Sequence, residues 1–96
     1  MKRPERLRLL GKRWAVTYGE MPKDELGECD LEKQAITIKD GLKAEQEQST
    51  LLHECIHAIS DSLGLGLSEK QVQGLETGLY DLNTGNPRFF SYCRKK

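Results

Sequence analysis

The amino-acid sequence predicts an α+β fold, in which a small three-stranded antiparallel sheet packs on one long helix and on a second helix. Two observations predict this fold. Short runs rich in β-branched and aromatic residues precede position 40, and the clearest of them is Ala35–Ile38, in which Ile36 and Ile38 fall on one side. After position 43, apolar residues recur at helical spacing as far as Leu82.

The three predicted strands are separated by turn signals. Residues 13–18 form the first strand, Leu26–Asp30 a short second strand and Ala35–Ile38 the third. Residues 31–34 are predicted to be the hairpin loop between the last two strands, although they lack an Asn-Gly signal. The basic residues 1–12 are compatible with an arm, a short helix or part of an edge strand.

The first predicted helix begins near Lys43 or Ala44 and ends near Leu63, where Gly64 and Gly66 can terminate it. The second helix begins at Ser68, because Ser68 and Gln71 form a capping-box pattern. Four apolar residues give this helix one apolar face: Val72, Leu75, Leu79 and Leu82. A short third helix is predicted after Asn86-Pro87, through Phe89, Phe90 and Tyr92.

Length and composition predict a single domain over residues 1–96 with a thin core, since only 36% of the residues are hydrophobic. The formal charge is zero, which argues against a general nucleic-acid binder. The basic N-terminal segment is either a contact for an acidic partner or a solvated end. No signal peptide or membrane span is recognisable, so a cytoplasmic location is the expectation.

Three cysteines, an odd number without paired spacing, do not resemble a disulfide framework. Cys55 lies on the apolar arc of the first helix and is predicted to be a small core residue. Cys29 and Cys93 are metal ligands only in principle, because neither has a C-x-x-C companion.

The centre of the first helix carries the motif His53-Glu54-Cys55-Ile56-His57. A helix advances about 100° per residue, so the two histidines share a face, one turn apart. Two imidazoles so placed can bind one Zn²⁺ ion, and Glu54 then lies where it can accept a proton from a water on the metal. The motif predicts a small zinc-dependent hydrolase, first of all a peptidase; the other interpretation is a chance pattern on a solvated helix.

Catalytic zinc needs three protein ligands, and the first helix supplies two. Asp61 is a poor third ligand because it lies roughly 6 Å beyond His57 along the helix axis. The third ligand should come from the second helix, where Glu69 and Glu76 lie on the same edge of the apolar face. A simple antiparallel helical hairpin favours Glu76, whereas Glu69 requires a steep crossing or a sliding of the second helix.

The segment Thr50–Ile59 resembles the core of small phage and prophage-type metallopeptidases of the ImmA/IrrE-like group, which are akin to minimal gluzincins. A softer likeness extends over most of the chain from about residue 11 to residue 90. The resemblance implies zinc, a glutamate as third ligand and hydrolysis of peptide bonds. By position relative to Val72 and Leu75, that glutamate is Glu69, and Glu76 is a departure at a position that is usually small in such proteins.

Two other functions are compatible with the sequence. The chain can be a catalytically silent zinc-binding or regulatory module of phage or bacterial origin, or a nucleic-acid-associated phage factor, although its neutral charge counts against the latter. For a peptide or protein substrate, the segment Ala35–Thr37 is predicted to be a sheet edge that pairs with an extended chain. Tyr80 is either a second donor to the oxyanion or a packing residue. The oligomeric state is not predictable.

Overall fold

A computed structural model describes residues 2–95 of the chain. The predicted α+β class is confirmed: four strands form one sheet and three helices follow. In chain order the elements are β1 (Arg6–Leu9), β2 (Lys12–Gly19), β3 (Gly27–Asp30), β4 (Ala35–Lys39), α1 (Ala44–Leu63), α2 (Glu69–Gly85) and α3 (Phe89–Arg94).

The sheet differs from the prediction, because it has four strands rather than three and is mixed rather than antiparallel. The strand order is β1-β2-β4-β3. The β1–β2 and β3–β4 pairs are antiparallel, whereas β2 and β4 run parallel, with Val16 opposite Ile36 and Tyr18 opposite Ile38. A parallel pair needs a long connection, and here residues 20–34 supply it by forming β3 on the far side of β4.

The additional strand, β1, comes from the basic N-terminal segment. Leu7 and Leu9 alternate with Arg6 and Arg8, so the leucines turn towards the core while the arginines stay exposed. The turn to β2 consists of Leu10 and Gly11, and both have positive φ angles, 52° and 77°. Positive φ at both central residues matches the twist that a two-residue hairpin loop requires.

The core lies between one face of the sheet and helix α1. Its sheet side consists of Trp14 and Val16 from β2 and of Ile36 and Ile38 from β4, and the two isoleucines are fully buried. Ala58 completes the cluster from α1. The opposite face of the sheet is polar, as a hydrogen bond between Thr17 and Thr37 indicates. One face of the sheet is therefore used for packing, and α1 is the element that covers it.

The loop between α1 and α2 is held by the conformation of a glycine and by side-chain hydrogen bonds. Gly64 ends α1 in the left-handed conformation, with φ of 65°, which glycine adopts without steric cost. The buried hydroxyl of Ser60 accepts a hydrogen bond from the backbone N–H of Leu67 and so fixes the loop. The predicted capping box of Ser68 and Gln71 is confirmed, with both reciprocal hydrogen bonds present.

Cys29 and Cys55 pack against the core cluster, as the sequence predicted for Cys55. Burial, with smaller contributions from nearby acidic groups, raises the pKa of each thiol to about 11. Both are therefore protonated at neutral pH and poor nucleophiles. Within residues 2–95, no helix is both long enough and apolar enough to cross a membrane.

Candidate metal centre

Helix α1 places the two histidines of the motif side by side. The ring centroids of His53 and His57 lie 4.9 Å apart, as expected for residues four positions apart on one helical face. Both rings are only partly exposed. Because the next residue along the helix, Glu54, faces the sheet, each histidine is held at the border between the packed side of α1 and the surface.

Helix α2 brings Glu69 to both histidines. One carboxylate oxygen lies 2.6 Å from Nε2 of His53, and the other lies 3.0 Å from Nε2 of His57. The candidate ligand atoms of these three residues all lie within 4.8 Å of one another. Glu69 is the first residue of α2, immediately after the Ser68 cap, so the loop that begins at Gly64 determines its position.

Glu76 contacts His53 from the other side of the ring. Its Oε1 atom lies 2.8 Å from Nδ1 of His53, and its other oxygen accepts a hydrogen bond from the hydroxyl of Ser49. The two glutamates that the sequence left open therefore occupy different positions. Glu69 lies at the Nε2 atoms of both histidines, whereas Glu76 reaches only the Nδ1 atom of one.

The short distances between Glu69 and the two histidines limit what can lie between these atoms. Carboxylate oxygens only accept hydrogen bonds, and a neutral imidazole has one nitrogen with a free lone pair. At 2.6–3.0 Å, such atoms require a proton or a metal ion between them. For the proton, burial disfavours charge on His53, but the hydrogen bonds to Glu76 and Glu69 outweigh burial and raise the pKa of His53.

Glu54 is the most deeply buried acid of the group, with 7% of its surface exposed. Burial raises the pKa of its carboxyl, and the two neighbouring histidines oppose this shift. The aliphatic part of its side chain packs on Gly27 of β3, where an added Cβ would lie only 3.2 Å from Cγ of Glu54. Glu54 lines the cleft beside the histidines, so its carboxyl group can act on a ligand that binds there.

A cleft of about 690 Å³ lies between α1, α2 and β3 and contains the candidate ligands and Glu54. Among residues 2–95, no lysine or arginine lines it, and three further acids line it beside the candidate ligands: Asp24, Glu25 and Glu28. Six carboxylates therefore share the cleft with two histidines as its only basic groups within the described residues, an excess of acids that favours cations.

The prediction of a free sheet edge at Ala35–Thr37 is wrong. This segment belongs to β4, which is paired with β2 on one side and with β3 on the other. Its backbone hydrogen-bonding groups therefore face neighbouring strands and cannot pair with a substrate. The edge strand beside the cleft is β3, whose first residues, Gly27 and Glu28, line the cleft together with the preceding Leu26.

The other residues considered from the sequence lie outside the group. Asp61, Cys29 and Cys93 are not among the converging ligand atoms. The hydroxyl of Tyr80 donates to Gln48 at 3.0 Å, and Tyr80 does not line the cleft. Sequence reasoning missed the contributions of Ser49 and Gly27. Ser49 is one helical turn before His53, so its spacing was a usable signal, whereas the role of Gly27 depends on a contact between distant segments.

Comparisons of the chain with protein-family models, with curated proteins and with solved structures found no match. The resemblance to ImmA/IrrE-like metallopeptidases therefore rests on the sequence motif and stays a prediction.

Proposed function

We propose that the chain is a zinc-dependent metallopeptidase that hydrolyses peptide bonds, with Glu54 as the general base. One observation carries this proposal: the ligand atoms of His53, His57 and Glu69 converge within 4.8 Å, and the buried Glu54 lies beside them in the same cleft. A cluster that served only to hold a metal would not need an additional buried carboxyl group in the same cleft.

The donor set fits zinc. Two imidazole nitrogens and one carboxylate are a known ligand set for catalytic zinc, which keeps a further position open for water or substrate. Magnesium and calcium prefer oxygen ligands, so the two histidines disfavour them. When bound, the ion would lower the pKa of a water molecule and polarise a substrate carbonyl.

The residues of the chain then have separate roles. His53, His57 and Glu69 would hold the ion. The carboxylate of Glu54 accepts a proton from the attacking water and returns it to the leaving amine. Its raised pKa suits this exchange, because a base that also acts as an acid works best with a pKa nearer to neutrality than that of a solvated glutamate.

The substrate would bind as an extended peptide along β3. This strand is at the edge of the sheet, so one row of its backbone groups has no neighbouring strand. A peptide that adds to such an edge gains backbone hydrogen bonds and passes the cleft beside Glu54. Gly27 lies at this point, where a side chain would crowd both Glu54 and Thr50.

The test compares Glu54→Gln with Asp61→Asn in the zinc-loaded chain. Unfolded casein serves as a general substrate, and elemental analysis gives the metal content. Glu54→Gln should bind one zinc and lose hydrolysis by a factor of about 100 or more, since the base is removed while the ligands stay. Asp61→Asn neutralises an acid on the same helix outside the cleft and should retain both properties.

Full activity of Glu54→Gln would contradict the role of Glu54. Absence of bound zinc in the unaltered chain would contradict the proposal as a whole. A chain that binds zinc tightly but cleaves no casein, with or without Glu54, would instead be the catalytically silent zinc-binding module.

A further inference from the structure

Glu76 is placed differently from Glu69, the other acid of α2 that lines the cleft. Its side chain is 12% exposed, whereas that of Glu69 is 70% exposed. It reaches from α2 to α1 and makes two hydrogen bonds there, to Nδ1 of His53 and to the hydroxyl of Ser49. Ser49 and His53 are four residues apart and share a face of α1, so one carboxylate can contact both.

Both ring nitrogens of His53 face a carboxylate: Nδ1 faces that of Glu76 and Nε2 that of Glu69. A neutral imidazole carries one proton, so only one of these two contacts can have an N–H donor. When a cation takes the lone pair of Nε2, the proton of the neutral ring is on Nδ1, where the carboxylate of Glu76 can accept it. Nε2 is the nitrogen that lies within the group of converging ligand atoms.

We infer that Glu76 is a positioning residue for the metal centre: it holds the proton of His53 on Nδ1 and so presents Nε2 to a divalent cation. This inference rests on the proposed function, because zinc is taken to be the cation. Ser49 supports the arrangement by donating to the second oxygen of Glu76, which leaves the first oxygen for His53. His57 has no comparable side-chain partner at Nδ1 within residues 2–95, so the effect is confined to one of the two histidines.

The proton position can be measured without zinc. Because Glu69 competes for the proton through Nε2, the chain should carry Glu69→Ala, which removes this competitor. Long-range ¹⁵N NMR at about pH 9.5, well above the usual histidine pKa of about 6.5, reports the tautomer of each neutral ring. We expect the Nδ1–H form of His53, and a shift towards Nε2–H when Glu76→Ala is added, while His57 stays unchanged. Nε2–H as the main form of His53 with Glu76 present would overturn the inference.

Zinc affinity supplies a second readout, measured in the otherwise unaltered chain by competition with a chromophoric chelator. Partners that orient a metal-binding histidine typically contribute a factor of 10 to 100 in affinity, so Glu76→Ala should weaken zinc binding by that factor. Glu76→Gln keeps an oxygen that accepts the proton of Nδ1 and should recover most of the affinity. An affinity of Glu76→Ala within twofold of the unaltered chain would contradict the inference.

Gln73→Ala is the matched control. Gln73 lies on the same helix and lines the same cleft, but its side chain makes no hydrogen bond to a histidine. Gln73→Ala should change the zinc affinity less than twofold. If Gln73→Ala and Glu76→Ala lower the zinc affinity equally, the cause is a general effect on α2, and the inference is overturned. If Glu76→Ala does not fold, the tautomer of His53 in the Glu69→Ala chain, which retains Glu76, still tests the inference. If the chain binds no zinc, the proposed function fails, while the tautomer measurement tests Glu76 separately.

Discussion

The two helices that build the candidate site are anchored to very different degrees. Helix α1 lies on the sheet and has five buried residues, among them Glu54. Helix α2 has one, Val72, and two glycines in its interior, Gly74 and Gly78, which weaken a helix. One half of the site is therefore part of the core, and the other half depends on a weakly held helix, so stability and metal affinity should respond separately to substitutions.

The largest expected effect is on stability, and it compares the packing under α1 with the packing of α2. Ile36→Ala should lower the free energy of unfolding by about 2–5 kcal/mol, because Ile36 is fully buried under α1. Val72→Ala removes a smaller buried side chain and should cost about 1–3 kcal/mol, but it should also weaken zinc binding by loosening α2. Urea unfolding and zinc titration measure both. Equal losses of stability would mean that α2 is anchored as firmly as α1.

A second comparison uses two glycines. At Gly27 an added Cβ would lie 3.1 Å from the backbone oxygen of Thr37 and 3.1 Å from Cγ2 of Thr50, so Gly27→Ala should cost about 1–3 kcal/mol and displace Glu54. At Gly78 of α2 nothing lies within 4 Å, and Gly78→Ala should raise stability by about 0.5–1 kcal/mol. Thermal unfolding tests both. A stabilising Gly27→Ala would show that β3 and α1 can separate at no cost.

The smallest expected effect concerns the start of α2. Ser68→Ala removes the cap and should cost about 1 kcal/mol, and zinc affinity should fall because Glu69 is in the first turn. Thr77→Ala, an exposed change farther along α2, should alter the unfolding free energy by less than about 0.5 kcal/mol. If Ser68→Ala leaves zinc binding unchanged, the position of Glu69 does not depend on the cap.

Local signals were sufficient for most of α1 and α2. The spacing of His53 and His57, the glycine at position 64 and the capping box at Ser68 are each determined by residues within one or two turns. The sequence also placed Glu69 and Glu76 on one edge of α2. It could not assign their roles from spacing, because the carboxylate that reaches Nε2 depends on how the loop at residues 64–67 sets the two helices.

The sheet was less predictable for a related reason. Alternation of apolar residues shows which face of a strand is buried, but not which strand is its neighbour. The position of β4 between β2 and β3 is determined by contacts over long sequence separations. In β1 the alternation of Leu7 and Leu9 was present, but the surrounding arginines gave the segment the composition of a solvated end.

The parallel pairing of β2 with β4 has a consequence for folding. The β1–β2 and β3–β4 pairs are hairpins whose partners are close in sequence, so each can form early. The sheet is complete only when these hairpins join, which brings Trp14 and Val16 beside Ile36 and Ile38. When the hairpins join, the loop at residues 20–26 must close. Doubling the length of such a loop raises the free energy of closure by only about 0.6 kcal/mol. Insertions in this loop should therefore slow folding only slightly.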